Sequence, residues 1–322
     1  MISRRTIMAA GPLAAAAASA PGAIGSAAAQ GTPAPAAANP GGWYRYKIGD
    51  VEVTAIHDGF AMRPLEGFIR NAELGDVKKA MTDAFLPDAA LPITFTTLVL
   101  KMGGKTVLID TGNGNNGPPT TGRWMTNFKA AGFDPAEVDT IVISHFHGDH
   151  IGGIRTKEGA AVFLKAEILV PDVEWAFWMD DAKMSAAPDG MKPAFQNVRR
   201  VFAPIAQDVK RYTAGKEVAP GLTAVAAPGH TPGHSAFALS SGSGKLMIVS
   251  DITNHPALFV RNPTWAAVFD MDADQARETR IRMLDMAASE KAQLAFYHAP
   301  FPATVFIQKD GSGFRFVPAQ WM

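Results

Sequence analysis

The segment that most limits what this 322-residue chain can become is His145-Phe146-His147-Gly148-Asp149-His150. It puts three histidines and an aspartate into six residues, directly after the run Thr140-Ile141-Val142-Ile143-Ser144. A short, continuously apolar run of that kind reads as a strand buried on both faces. In extended chain, residues two apart point the same way, so His145 and His147 can converge on one ion. The chain then turns at Gly148, which lets Asp149 and His150 face a second ion close by. Ions such as Zn²⁺ take neutral imidazole and carboxylate, and three or four such groups suffice. Gly152-Gly153 follows, where the lack of side chains lets backbones pack closely. The chain has no cysteine, so thiolate is excluded as a ligand and a disulfide as a staple.

The rest of the composition narrows the class. Thirty Lys and Arg residues balance thirty Asp and Glu, and no basic run or stripe interleaved with aromatics occurs. A nucleic-acid partner is therefore not expected. At the N-terminus, Ser3-Arg4-Arg5-Thr6-Ile7-Met8 is a twin-arginine start, an Ala-rich apolar stretch runs through Ala20, and Ser26-Ala27-Ala28-Ala29 offers small residues for cleavage. That order predicts a twin-arginine signal peptide over 1–29 and a periplasmic destination. The route carries folded proteins, which suits a metalloprotein loaded before it crosses. The stretch is too interrupted by Gly and Pro to be a good membrane span, and no other segment is apolar enough, so stable membrane insertion is not expected. Residues 30–42 are Pro-, Ala- and Gly-rich and predict a flexible linker, leaving 43–322 as one catalytic domain.

Within that domain, strand-like runs are read at 44–56, 95–101, 106–109, 140–144, 161–169, 222–226, 235–239, 246–250, 294–297 and 304–308, with hairpins at Gly103-Gly104 and Asp310-Gly311. Helices are read at 123–131, 172–179 and 274–289, the last opened by Asp272 and Asp274. Strands mixed with helices in both halves fit two packed sheets flanked by helices.

Several motifs resemble a known family. His145-Phe146-His147-Gly148-Asp149-His150 matches the HxHxDH signature of metallo-β-lactamase-fold hydrolases, and Val107-Leu108-Ile109-Asp110-Thr111-Gly112 matches the strand end that precedes it. Pro228-Gly229-His230-Thr231-Pro232-Gly233-His234 matches the family's HTPGH turn. Ser250-Asp251 is similar to its GD motif with Ser in place of Gly, and Tyr297-His298 falls where its last histidine lies. The resemblance spans about 43–320 and looks most like the methyl parathion hydrolase and lactonase-like branch. It implies an α/β (α+β) fold, an αββα sandwich of two mixed sheets flanked by helices, with the site at the edge between the sheets. It also implies that His145, His147 and His230 hold one metal, that Asp149, His150 and His298 hold the other, and that Asp251 bridges both. The absent cysteine argues against β-lactamases that use one as a ligand.

The expected activity follows: a dinuclear metal-dependent hydrolase of a small lactone, aryl ester or phosphotriester, attacking with a metal-bridging hydroxide. The expected cofactors are two divalent ions, zinc first, with Mn, Fe and Co also compatible with these donors. Asp149 and Asp251 orient the hydroxide instead of attacking substrate. Asp110 is expected to hold a ligand histidine through its free ring nitrogen. Trp175, Trp178 and Phe195, in the segment after the first motif, and His255, four residues beyond Asp251, are candidate substrate-pocket residues. Exposed apolar residues in that segment would also suit a homodimer. His234 is read as structural, His57 is left open, and Asp58 could as easily be a turn residue. Competing readings are a β-lactam hydrolase and a mononuclear iron dioxygenase on the same fold.

Overall fold

Successive residues of the central strands are apolar, and this dictates the layers. Leu98 and Leu100 lie on one side of their strand and Val99 on the other, yet all three are buried. Such a strand must be covered on both faces. The computed structural model describes residues 41–320; the predicted signal peptide and nearly all of the predicted linker fall in 1–40, outside the described residues.

Among the described residues there are two seven-stranded mixed sheets. The first runs in sequence order through β1 (Trp43–Ile48), β2 (Val51–Pro64), β3 (Ala90–Met102), β4 (Lys105–Ile109), β5 (Thr140–Val142), β6 (Glu167–Pro171) and β7 (Lys210–Tyr212). Its first four strands are antiparallel and β4 to β7 are parallel. The second holds β8 (Glu217–Ala219), β9 (Leu222–Ala226), β10 (Ser235–Ser241), β11 (Gly244–Ser250), β12 (Gln293–Phe296), β13 (Thr304–Asp310) and β14 (Gly313–Pro318). Only its β11–β12 pair is parallel.

The sheets face each other across one apolar cluster that includes Val53, Leu98, Leu100 and Ile109 from the first and Phe237, Leu239 and Ile248 from the second. The opposite face of the first sheet, with Val99, Leu108 and Ile141, lies under α2 (Trp124–Ala130), α4 (Asp172–Trp178) and α6 (Lys192–Phe202). The opposite face of the second, with Met247, Val249 and Leu294, is covered by Met283, Leu284 and Ala287 of α8 (Ala273–Glu290). The result is the αββα sandwich. Each fully buried Phe or Leu in these clusters contributes about 1.5–3 kcal/mol over leaving it in water.

Helix α8 begins where Asp272 accepts the N–H of Gln275, and it ends at Lys291 in the left-handed region, φ 52°. Three readings change. The expected strand over 44–56 is a hairpin, turned at Gly49-Asp50 with Gly49 at φ 55°. The expected strand over 161–169 joins the sheet only from Glu167; before that Ala161 makes an isolated bridge to Arg155, and Val162 and Phe163 pack into the helix-covered cluster. Helix α1 (Leu74–Asp83), which fills a fourth cluster through Val77 and Met81, was not read from sequence at all.

Candidate metal centre

Strand ends deliver the donors. β5 leads through Ser144 into His145–His150, β11 ends at Ser250 just before Asp251, and β12 ends just before Tyr297-His298. His230 comes from the turn between β9 and β10. Two of the delivering residues, Asp110 (φ 58°) and Ser250 (φ 45°), sit in left-handed backbone unusual for residues other than glycine. Close approach is allowed by missing side chains. A Cβ at Gly153 would lie 2.1 Å from the carbonyl oxygen of Thr111, so only glycine lets the two loops pass.

Two sets of donor atoms form. In the first, His147 Nδ1 is 3.1 Å from His145 Nε2 and 2.9 Å from His230 Nε2, and Asp251 Oδ2 is 3.3 Å from His230 Nε2. In the second, His150 Nε2 is 3.4 Å from Asp149 Oδ2 and 3.2 Å from Asp251 Oδ1, and His298 Nε2 is 2.9 Å from Asp251 Oδ2. Asp251 belongs to both, and within each set the donor atoms lie within 4.8 Å of one another. Tetrahedral ligands about 2.0–2.1 Å from one ion are about 3.3 Å apart, so these spacings suit coordination.

The tautomers say the same thing. His298 Nδ1 is 2.8 Å from the carbonyl oxygen of Thr94, which can only accept, so the proton sits on Nδ1 and Nε2 is bare. His150 Nδ1 donates to Asp110 Oδ2 at 2.8 Å, and His230 Nδ1 to Asp270 Oδ1 at 3.0 Å. Ser144 Oγ gives its proton to Asp110 Oδ2, and thus accepts from His145 Nδ1 at 3.1 Å. Four bare Nε2 atoms therefore point inward. His150 Nε2 and Asp251 Oδ1 are buried with no hydrogen-bond partner. Lone pairs aimed at one another and orphaned at a buried centre are costly unless a cation lies between them. The residues fit two divalent ions.

Charge without such ions would be unbalanced. Burial, together with His230, lowers His147 to about 3. Burial opposes protonation of His230 as well, but hydrogen bonds to Asp251 and Asp270 outweigh it and raise that ring to about 9. Burial would also keep the Asp251 carboxyl protonated, yet His298 and His150 hold it well below the usual carboxylate range.

Asp110 thus lies against the ring of His150. His234 donates from Nδ1 to Ala227 O and accepts the Asp251 N–H at Nε2, so both nitrogens are used structurally. His57 stacks near Phe301 and is not among the donors. The pocket expectations need correction. A cavity of 410 Å³ opens over the donors, and none of Trp175, Trp178, Phe195 or His255 lines it. Trp178 and Phe195 are buried and pack on each other, with Trp175 half-buried beside Phe202, because the apolar stripes of α4 and α6 face the first sheet. The segment reaches the cavity through Asn197, on the other side of α6. His255 caps α7 (Pro256–Phe259) and faces a separate groove of 760 Å³. Around the donors, the actual lining sets Ile93, Phe95 and Phe269 beside Arg63 and the amides of Asn113, Asn116, Asn197 and Asn254.

Sequence reasoning also missed supporting groups. Asp270 holds His230 and the buried Arg280, and nothing in its local pattern marks it. Tyr297 donates to the carbonyl of Asp149 at 2.5 Å. Asp58 is fully buried and accepts from the backbone of Asn113, Gly122 and Trp124, so it folds the loop that edges the cavity. A lone acid inside an apolar strand run was the available signal for it.

Residues 92–298, well over half the chain, match the metallo-beta-lactamase superfamily. The chain belongs to that superfamily. Among solved structures it is similar to AidC, a dizinc quorum-quenching lactonase, with 28% identity, a TM-score of 0.83, and 88% of this chain and 99% of that one covered. It is also similar to the hydrolase AbOPH, at 26% identity and a TM-score of 0.82 over 88% and 99% of the two chains. An N-acyl homoserine lactonase of Bacillus sp is 25% identical over 177 residues, which cover 55% of this chain and 62% of that protein. The match thus spans less than two thirds of that relative's length.

Proposed function

We propose that this chain is a dinuclear metal-dependent hydrolase of a small ester-like substrate, with a lactone as the first choice. The observation that carries the reading is the sharing of Asp251 by two complete donor sets at the floor of a cavity. His145, His147 and His230 would hold one ion and Asp149, His150 and His298 the other. Zinc is the metal we assign, because histidine and carboxylate suit it and AidC is described as a dizinc enzyme. Two such cations, held by these residues, would supply a hydroxide near neutral pH and polarise the oxygen of the bond to be broken.

The chain supplies the rest. Asp110, Asp270 and the Thr94 carbonyl hold three imidazoles in the tautomer that keeps Nε2 bare. Of the two donor carboxylates that line the cavity, Asp149 is the more open, its side chain 21% exposed against 3% for Asp251, and it can take a proton during attack and return it to the departing oxygen. Ile93, Phe95 and Phe269 keep water from the apolar part of the substrate, while Asn113, Asn197 and Asn254 offer hydrogen bonds to carbonyl and amide groups. A lining of that composition suits an acyl lactone carrying an amide, and the names of AidC and the Bacillus sp relative point the same way. Aryl esters and phosphotriesters share the chemistry and stand second.

The test is a rate panel on the purified protein with metal content measured alongside: an acyl-homoserine lactone, an aryl ester, methyl paraoxon and a cephalosporin. Two ions per chain and fastest turnover of the lactone are expected. One iron per chain, oxygen consumption and no hydrolysis would replace this reading with the iron dioxygenase. Export to the periplasm by the twin-arginine route is proposed on Arg4 and Arg5; an Arg4→Lys/Arg5→Lys chain should then stay in the cytoplasmic fraction.

A further inference from the structure

A buried carboxylate that neither donor set uses lies between the two histidine loops. Glu174, in the first turn of α4, has no exposed surface. Its Oε2 accepts the backbone N–H of Phe146 at 2.9 Å and the indole N–H of Trp178 at 2.9 Å. Its Oε1 accepts the backbone N–H of Gly233 at 2.7 Å. Phe146 separates His145 from His147, and Gly233 belongs to the same tight turn as His230. One side chain therefore ties the loop that leaves the first sheet to the loop that enters the second. The fit is close: a Cβ at Gly233 would lie 2.5 Å from the backbone nitrogen of Glu174. Trp178, held by the same carboxylate, sets its ring 6.3 Å from that of His147.

We propose that Glu174 is a positioning residue that sets the spacing of the His145/His147 loop against the His230 loop, and so governs affinity for the ion of that set alone. The proposal rests on the dinuclear reading above. A carboxylate accepts from both loops at once. An amide of the same shape accepts through one oxygen only and turns an NH₂ group against the other loop's N–H, so the two loops must move apart. The second donor set receives no bond from Glu174; it is braced by Asp110, Tyr297 and the Thr94 carbonyl. Loss of a partner outside the ligands lowers metal affinity by about 10- to 100-fold.

The experiment equilibrates the purified protein with zinc buffered by graded chelator and counts ions per chain, for wild type, Glu174→Gln and Trp178→Phe, with thermal unfolding of each metal-free form. Glu174→Gln should release one ion at about 10- to 100-fold higher free zinc than wild type and keep the other unchanged. Trp178→Phe removes one bond to the carboxylate but neither loop bond, and should keep both ions. Should Glu174→Gln fail to fold, Glu174→Asp, whose shorter side chain spans only one loop, is read in the same way. Wild-type affinity for both ions in the glutamate variant overturns the proposal, as does equal weakening of both. A wild-type protein that never holds two ions overturns the dinuclear reading instead, and the proposal with it.

Discussion

Ser250 stands where the family pattern has glycine, and its backbone shows why glycine belongs there. Its φ is 45°, and its hydroxyl is buried with no hydrogen-bond partner. Left-handed backbone costs an L-residue roughly 1–2 kcal/mol, and an unsatisfied buried hydroxyl about 1–3 kcal/mol. Replacement by glycine relieves both. It also adds about 0.5–1 kcal/mol of backbone entropy to be lost on folding and forfeits about 0.8 kcal/mol of buried methylene. Ser250→Gly should therefore stabilise the protein by about 2 kcal/mol, a rise in Tm of roughly 3–4 °C. Ser250→Ala keeps the carbon and the strained φ and removes only the hydroxyl, so the difference between the two variants is the backbone contribution less about 0.8 kcal/mol for the buried carbon that glycine lacks. Thermal and urea unfolding of the metal-free proteins measures both. A Ser250→Gly protein less stable than wild type by about 1 kcal/mol would refute the reasoning. It would mean that the hydroxyl is satisfied by a water in the 10 Å³ space it borders together with Thr96, whose Oγ1 is also unpartnered.

Stripping the metal should lower Tm markedly, since an ion at a thousandfold excess over its Kd that binds only the folded state contributes about 4 kcal/mol; an unchanged Tm after chelation argues against bound ions. Asp110→Asn should weaken binding of both ions, because Asp110 Oδ2 accepts from His150 directly and reaches His145 through Ser144; ion counts under graded chelator check it. Trp178→Ala should destabilise by about 3–5 kcal/mol, as a large core truncation does, instead of shifting KM alone; urea unfolding beside KM measurement separates the two. Burial raises the Glu174 carboxyl above its ordinary 4.5 despite the bonds from Gly233, Phe146 and Trp178. The unfolded chain then ionises first, so metal-free wild type should lose stability relative to Glu174→Gln as pH rises from 4.5 through the folded-state value; a gap that widens in the opposite direction contradicts that sign.

Local pattern carries a large part of this protein. The apolar run 140–144, the turn at Gly148 and the Pro228–His234 turn mark five of the seven candidate donors in short segments whose direction is set by their own few residues, while Asp251 and His298 are legible only through the family resemblance of Ser250-Asp251 and Tyr297-His298. Helix α8 was legible through Asp272, and most strands through their apolar runs. The first part of the strand predicted over 161–169 was not, since an apolar run reports burial and not whether its neighbour is a strand or a helix. Apart from Asp110, the supporting residues, and all of the lining outside the donors, were decided only by the tertiary structure. Asp270 reaches His230 across 40 residues of sequence, Glu174 reaches Gly233 across 59, and Tyr297 reaches Asp149 across 148. Phe95 lines the cavity while Phe195 and Trp178 fill the core. Nothing in the immediate neighbours of an acid or an aromatic distinguishes those fates. They are settled by which distant face the packed sheets and helices bring against each side chain, and by the cost of leaving a buried polar group without a partner.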